Sequence, residues 1–286
     1  MRSVYAAIAV SFTVSLCHAG TLVGIAVDPN LPNSQLGLPY LIDPMTGATT
    51  LITQNFDWYD FGVLLNHGDN HLYLYAAADS PFPGTIFSSN GNDLHTVDFA
   101  TGITTYYNSS GGPLDYAYDE VHNLLYGTWG NSLSGMNLVY CPNGGCPPNT
   151  QIGNFPVTIN AIGYVPGDGL YGVGGGMLYR IDPTTAALTL VGFTGVFGIM
   201  DIEFDLTTGR MIAVAGGPKS LTSGSASASG EIYLLDRFTG ATTLLNGNAP
   251  DFFSLAEVSP EPGSLILVGV ALVALGVRRR FCRRLS

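Results

Sequence analysis

Three acidic residues occupy the same place in three segments that read alike: Asp60 in Tyr59-Asp60-Phe61-Gly62, Asp115 in Leu114-Asp115-Tyr116-Ala117, and Asp201 in Met200-Asp201-Ile202-Glu203. Each segment alternates as a β-strand does, so residues two apart share a face, and Glu203 joins Asp201 on one side. If that face lines a common axis, three or four carboxylates converge. Like charges so placed either take up a hard cation with oxygen ligands, such as Ca²⁺, or hold protons above the usual carboxylate range. If the same residues cap turns at the mouth of a ring, they point to water and bind nothing. Both arrangements fit the spacing.

Other reactive types are scarce. His67 and His71 flank a turn, His95 precedes the second hairpin of its unit and His122 lies in a polar turn, so all four are expected to face solvent. Gly172-Val173-Gly174-Gly175-Gly176 interrupts two strands and has neither a following helix nor a nearby Lys, so it is no nucleotide loop. No Gly-x-Ser-x-Gly elbow occurs. Residues 220–230, rich in Ser, Ala and Gly, read as a flexible loop. Trp58, Tyr59, Tyr106, Tyr107 and Trp129 could stack on sugar rings or pack between structural units; the sequence accommodates either.

These residues sit on a repeating scaffold. Asp43-Pro-Met-Thr-Gly47, Asp98-Phe-Ala-Thr-Gly102, Asp182-Pro-Thr-Thr-Ala186 and Asp236-Arg-Phe-Thr-Gly240 are each preceded by an apolar residue and followed by a Thr-containing alternation. The pattern is strand, turn, strand. The Asp carboxylate can accept the turn amides, and the Gly supplies a positive φ. A second hairpin precedes each one, as in residues 114–128, 160–173 and 200–214, and residues 59–75 read the same way, with Asp60 on the innermost strand of their unit. Two hairpins make four strands, the size of a propeller blade.

Phe253-Ser254-Leu255-Ala256-Glu257 reads as an innermost strand with nothing after it, whereas Thr21 to Val27 lacks one before it. The C-terminal strand is therefore expected to complete the N-terminal blade and close a ring without a bare edge. The expectation is an all-β, five-bladed β-propeller of four-stranded blades over residues 20–258. Its innermost strands carry a column of small residues (Gly62, Ala117, Gly163, Ala256) broken by Glu203.

Composition agrees and narrows the partners. Of 286 residues, 46% are apolar, only 11% are charged, and Gly (37) and Pro (17) are abundant, which suits short strands and tight turns and excludes disorder or a coiled coil. Between residues 20 and 258, twenty Asp/Glu stand against Arg180, Arg210, Lys219 and Arg237, a balance of −16 that repels phosphate backbones and excludes nucleic acid as a partner.

The two ends are targeting segments. Arg2, an apolar run from Val4 to Leu16, and Cys17-His18-Ala19 before Gly20 form a signal peptide over residues 1–19. At the other end, residues 259–286 carry Pro260-Glu261-Pro262, an uncharged apolar stretch from Gly263 to Val277, and the cluster Arg278-Arg279-Arg280 with Arg283 and Arg284. The apolar stretch is expected to form one transmembrane helix, with the arginines cytoplasmic and the body on the far side. This tail resembles the C-terminal sorting signal of the PEP-CTERM proteins of Gram-negative bacteria. The resemblance implies recognition and processing by an exosortase during export, transient anchoring in the inner membrane, and a place at the cell surface or in an extracellular matrix linked to exopolysaccharide and biofilm.

In that oxidising compartment the two cysteines of the body, Cys141 and Cys146, bracket a turn-forming Asn-Gly and are expected to form a disulfide. The functional expectation is a non-enzymatic binding or structural protein with extracellular polysaccharide as a partner. The alternative is a secreted, metal-dependent, lactonase-like hydrolase using an axial cation.

Overall fold

The computed structural model describes residues 21–28, 36–60, 63–69, 72–73, 76–90, 93–109, 113–138, 149–216 and 230–258. All regular structure among them is β-strand, and no helix among them is long and apolar enough to cross a membrane. The expected C-terminal helix, the signal peptide, the Cys141–Cys146 loop and the residues Pro260, Glu261, Pro262 and Arg278 to Arg280 lie outside the described residues.

The strands build five four-stranded antiparallel blades in a propeller ring, as expected. Blade 1 runs outward from β23 (Phe252–Val258) through β1 (Thr21–Val27) and β2 (Leu36–Ile42) to β3 (Thr49–Leu51). Blade 2 comprises β7 (Ala76–Asp79), β8 (Thr85–Ser89), β9 (Asp93–Asp98) and β10 (Thr104–Ser109). Blade 3 comprises β11 (Asp115–Asp119), β12 (Leu124–Thr128), β13 (Gly130–Asn137) and β14 (Thr150–Ile159). Blade 4 comprises β15 (Ala161–Val165), β16 (Gly169–Gly174), β17 (Met177–Ile181) and β18 (Leu188–Phe193). Blade 5 comprises β19 (Ile199–Asp205), β20 (Arg210–Ala215), β21 (Gly230–Leu235) and β22 (Thr242–Ala249).

The innermost strands contact one another in the order β7, β11, β15, β19, β23 and back to β7. The chain ends close the ring: Thr21 pairs with Val258, Val23 with Ala256 and Ile25 with Ser254. Phe252 and Leu255 are buried with Leu22, Ala26 and Met200, and Ala256 with Ile25, Phe56 and Ala77, so β23 is both an edge seal and a piece of core.

Blade 2 departs from the sequence expectation. Asp60 ends β4 (Phe56–Asp60), which pairs only with β5 (Val63–Asp69) in a separate two-stranded sheet, and β6 (Leu72–Tyr73) adds to β2. The innermost strand of this blade is Ala76-Ala77-Ala78-Asp79. Alanines with 1% exposure or less let this strand pack between β23 and β11 while it pairs with β8, so the inner place of the blade is filled without the Asp60 segment. Elsewhere the small column behaves as expected: a Cβ built on Gly163 would lie 2.6 Å from the Ile202 carbonyl oxygen of the next blade.

The outer turns lock neighbouring blades. Asp43 Oδ1 accepts Met45 N–H at 2.8 Å, Asp98 Oδ1 accepts Ala100 and Thr101 N–H, and Asp182 and Asp236 do the same in their turns. Gly47, Gly102 and Gly240 have φ of 71°, 75° and 78°, and Ala186 takes the position at 60°. Each turn then seats on its neighbour: Asn246 of β22 donates to Gly47 O, Asp57 N–H to Gly102 O, and the turns at Thr185 and Thr239 abut Gly153 and Gly192.

Candidate functional site

Burial decides what the axial carboxylates do. Asp115 and Asp201 are each 1% exposed at the upstream part of their innermost strands, and each clasps the next blade. Asp115 Oδ2 accepts the N–H of Ile162 at 2.8 Å and its Oδ1 that of Tyr116 at 2.9 Å; Asp201 Oδ2 accepts the N–H of Leu255 at 2.5 Å. A carboxylate receiving buried amides of a neighbouring strand bridges two blades. The structure therefore makes inter-blade clasps of two of the four residues expected on the axis. Glu203, 5% exposed, accepts the N–H of Phe204 at 2.7 Å. Asp60 stands apart on β4, and its side chain lies outside the described residues. Among the described residues, no three His, Cys, Asp or Glu side chains converge as metal ligands.

The other ends of the innermost strands gather at one mouth of the ring. Asp79 ends β7, Glu120 follows β11, Tyr164 lies near the end of β15, and Phe204 and Leu206 flank the end of β19. With Tyr118 these residues line a cavity of about 20 Å³. That is room for one water or one small ion, and too little for a sugar ring. Glu257, near the end of β23, is 1% exposed. Its Oε2 accepts the N–H of Leu206 at 2.9 Å, and its own N–H donates to Asp79 Oδ1.

Burial without a counter-charge raises these acids. Desolvation, followed by the charge of Asp79, Asp205 and Glu120, pushes the Glu257 carboxyl up to about 8. Asp79 is pushed up to about 7 by desolvation, with Glu120 adding to it. Glu203 is held well above the usual range by desolvation and by Asp79, Asp201 and Glu257. Tyr164 rises to about 12 through burial and its hydrogen bond to Asp119, so it stays a donor. Glu257 and Asp79 can therefore exchange protons near neutral pH; the size of the mouth does not suit a larger reactant.

Asp79, Glu120 and Glu257 escaped the sequence reading. A signal existed: an Asp closes the innermost strand in blades 2, 3 and 5 (Asp79, Asp119, Asp205). Asp119 and Asp205 also cap their turns, accepting Val121 N–H at 2.9 Å and Thr208 N–H at 2.8 Å.

The histidines divide. His122 is exposed and pairs with Asp119 at 2.7 Å. His95, expected in solvent, is fully buried on β9 with its ring edge-on to Tyr106 at 6.0 Å, because both faces of β9 are covered at this point, Leu94 beside it being buried as well. The side chain of His67, and the whole of His71, lie outside the described residues. Of the aromatics singled out for sugar stacking, Tyr106 is exposed and Tyr107 packs on Phe87; the side chains of Trp58 and Tyr59 lie outside the described residues. The sequence reading did not single out Phe193, Phe197 and Phe238, which are exposed on blades 4 and 5. Phe193 and Phe197 meet edge to face at 6.0 Å, and Arg237 lies 4.4 Å from the Phe238 ring centroid.

The PEP-CTERM protein-sorting motif matches residues 260–280. No curated protein matches the chain. Among solved structures, a Bacteroides thetaiotaomicron protein of unknown function matches at 12% identity and TM-score 0.42 over 79% of this chain, which spans 64% of that protein's length. A chain of a nidogen/laminin complex matches at 10% identity and TM-score 0.49, covering 84% of this chain and 98% of the other. A Bacteroides fragilis protein provisionally named a 6-phosphogluconolactonase matches at 12% identity and TM-score 0.43, covering 86% and 99%.

Proposed function

We propose, from the premise that this chain is a PEP-CTERM protein and hence an exported one, that it is a non-enzymatic propeller which an exosortase releases from its tail for binding or structural work at the cell surface or in the matrix. The observation that carries this is where the ring ends. β23 finishes at Val258, its pairing with β1 already complete, and the sorting motif starts at residue 260. Cleavage beyond Val258 therefore leaves all five blades intact, as a releasable cargo requires. Before cleavage, the five Cα–Cα steps from Val258 to Gly263 span at most about 18 Å, so an anchor beginning at Gly263 would hold the acidic mouth close to the membrane.

Extracellular polysaccharide is the partner class we favour. Support comes from the exposed Phe193, Phe197 and Phe238 on adjacent blades, flat faces of the kind that stack on sugar rings, and from a net acidic surface that disfavours polyanions. Mass spectrometry of the product from an exosortase-bearing host tests release: the mature protein should lack Arg278 to Ser286, and an intact C-terminus would refute it. A polysaccharide array tests the partner: binding should fall at least about tenfold in Phe197→Ala combined with Phe238→Ala. Binding that ignores both changes would remove these faces from the account.

A further inference from the structure

Among the described residues, Glu257 Oε1 has no hydrogen-bond partner although the residue is 1% exposed. A buried, bare carboxylate oxygen persists as the neutral acid or with a cation upon it, since the naked charge is too poorly solvated there. The rest of Glu257 is tied to both neighbouring blades: Oε2 to Leu206 N–H beyond the end of β19, and the backbone N–H to Asp79 on β7. It lies on β23, the strand that closes the ring and leads within two residues into Pro260.

We propose that Glu257, Asp79 and Glu203 form a proton-held clasp on the closing seam of the propeller: protonated, they keep β23 seated between blades 5 and 2, and deprotonated, they repel across both seams and loosen it.

Carboxylates meet at the clasp from blades 2, 3 and 5. Asp79 comes from β7, Glu120 from the turn after β11, and Asp201, Glu203 and Asp205 from β19. From β11 and β15 come the hydroxyls of Tyr118, which feels Asp79 and Glu120, and Tyr164, which feels Glu120 and Asp119. The ligand is a proton rather than a divalent ion, because among the described residues no three of these groups are arranged as metal ligands. A raised carboxyl favours the folded state fully below its unfolded value of 4.5, and that contribution is lost as pH rises through about 8. Asp251, at the start of β23, is raised only to about 6, so the span above pH 6.5 reads the clasp rather than Asp251.

The test is the melting temperature of the full-length protein in detergent between about pH 6.5 and pH 9, expected to fall by roughly 5 °C or more. Glu257→Gln and Asp79→Asn, which mimic the neutral acids, should flatten that slope. Hydrogen-exchange protection factors, corrected for the intrinsic rise of exchange with pH, should fall at β1 amides such as Val23 and Ile25 while those of β16 and β17 stay unchanged. Infrared absorption of a protonated carboxyl should be present in the parent at about pH 7, a readout that does not depend on any variant folding. A flat melting profile, a slope that survives both substitutions, or no protonated-carboxyl band would overturn the clasp. So would recovery of the lost stability at high pH by millimolar Ca²⁺, which would make the mouth a metal site.

Discussion

Acidic residues at the axis and at the rim of this propeller have the same side chains and opposite electrostatics. At the rim, Asp43, Asp182 and Asp236 are exposed, and hydrogen bonds hold their carboxyls below the usual range, foremost from the Thr184 hydroxyl for Asp182 and from the turn amides of Met45 and Phe238 for Asp43 and Asp236. At the axis, Glu203 and Glu257 also accept amides, yet desolvation outweighs the hydrogen bonds and both are raised. An amide donated to a carboxylate in water adds to an already solvated charge. The same amide in a dry interior replaces only part of the hydration that was lost. Repetition in the sequence therefore does not imply repetition of chemistry.

The largest test of this contrast compares inner and outer strands. Deleting residues 252–258 removes Phe252, Leu255 and Ala256, each at most 1% exposed, and should cost about 5 kcal/mol or more by lost burial, abolishing a cooperative urea transition. Replacing Leu51 on the exposed β3 by Ser should cost about 1 kcal/mol or less. Equal losses would mean that the axis is no more essential than the rim.

Next come the two classes of Asp. Asp201→Ala strands the buried N–H of Leu255 and should cost about 2–3 kcal/mol in urea denaturation, whereas Asp98→Ala exposes its turn amides to water and should cost about 1 kcal/mol or less. Glycines divide likewise. Gly163→Ala drives a Cβ to 2.6 Å from a backbone oxygen and should cost about 1–3 kcal/mol. Gly209→Ala meets open space at φ of 68° and should cost about 1 kcal/mol through conformation alone.

The smallest effect is on the acid side. Rim carboxyls lowered from 3.8 contribute stability above that value and lose it as pH falls through their folded pKa. Stability should therefore peak at about pH 4–5, between an acid limb from the rim and an alkaline limb from the mouth. Asp43→Asn with Asp236→Asn should flatten the acid limb in a melting series and leave the alkaline one unchanged. A change in the alkaline limb would show that rim and axis are coupled.

Much of this molecule is legible from local chemistry. Turn-forming Asp and Gly at fixed offsets, period-two alternation and an unpaired strand at each end of the body suffice for five blades, ring closure by Phe252–Val258 and the seating of the sorting motif just beyond it, because each is a property of neighbouring residues. Which strand reaches the axis is not. Tyr59-Asp60-Phe61-Gly62 resembles Leu114-Asp115-Tyr116-Ala117 in sequence, yet Ala76–Asp79 takes the inner place, paired with β8 and packed between β23 and β11, a choice set by contacts between strands far apart in the chain. His95 is buried by an interface that its own strand does not announce. The carboxylates of Asp79, Glu203 and Glu257 come from three strands far apart in the chain, and their protons are held by the loss of water that occurs only when the last strand closes the ring.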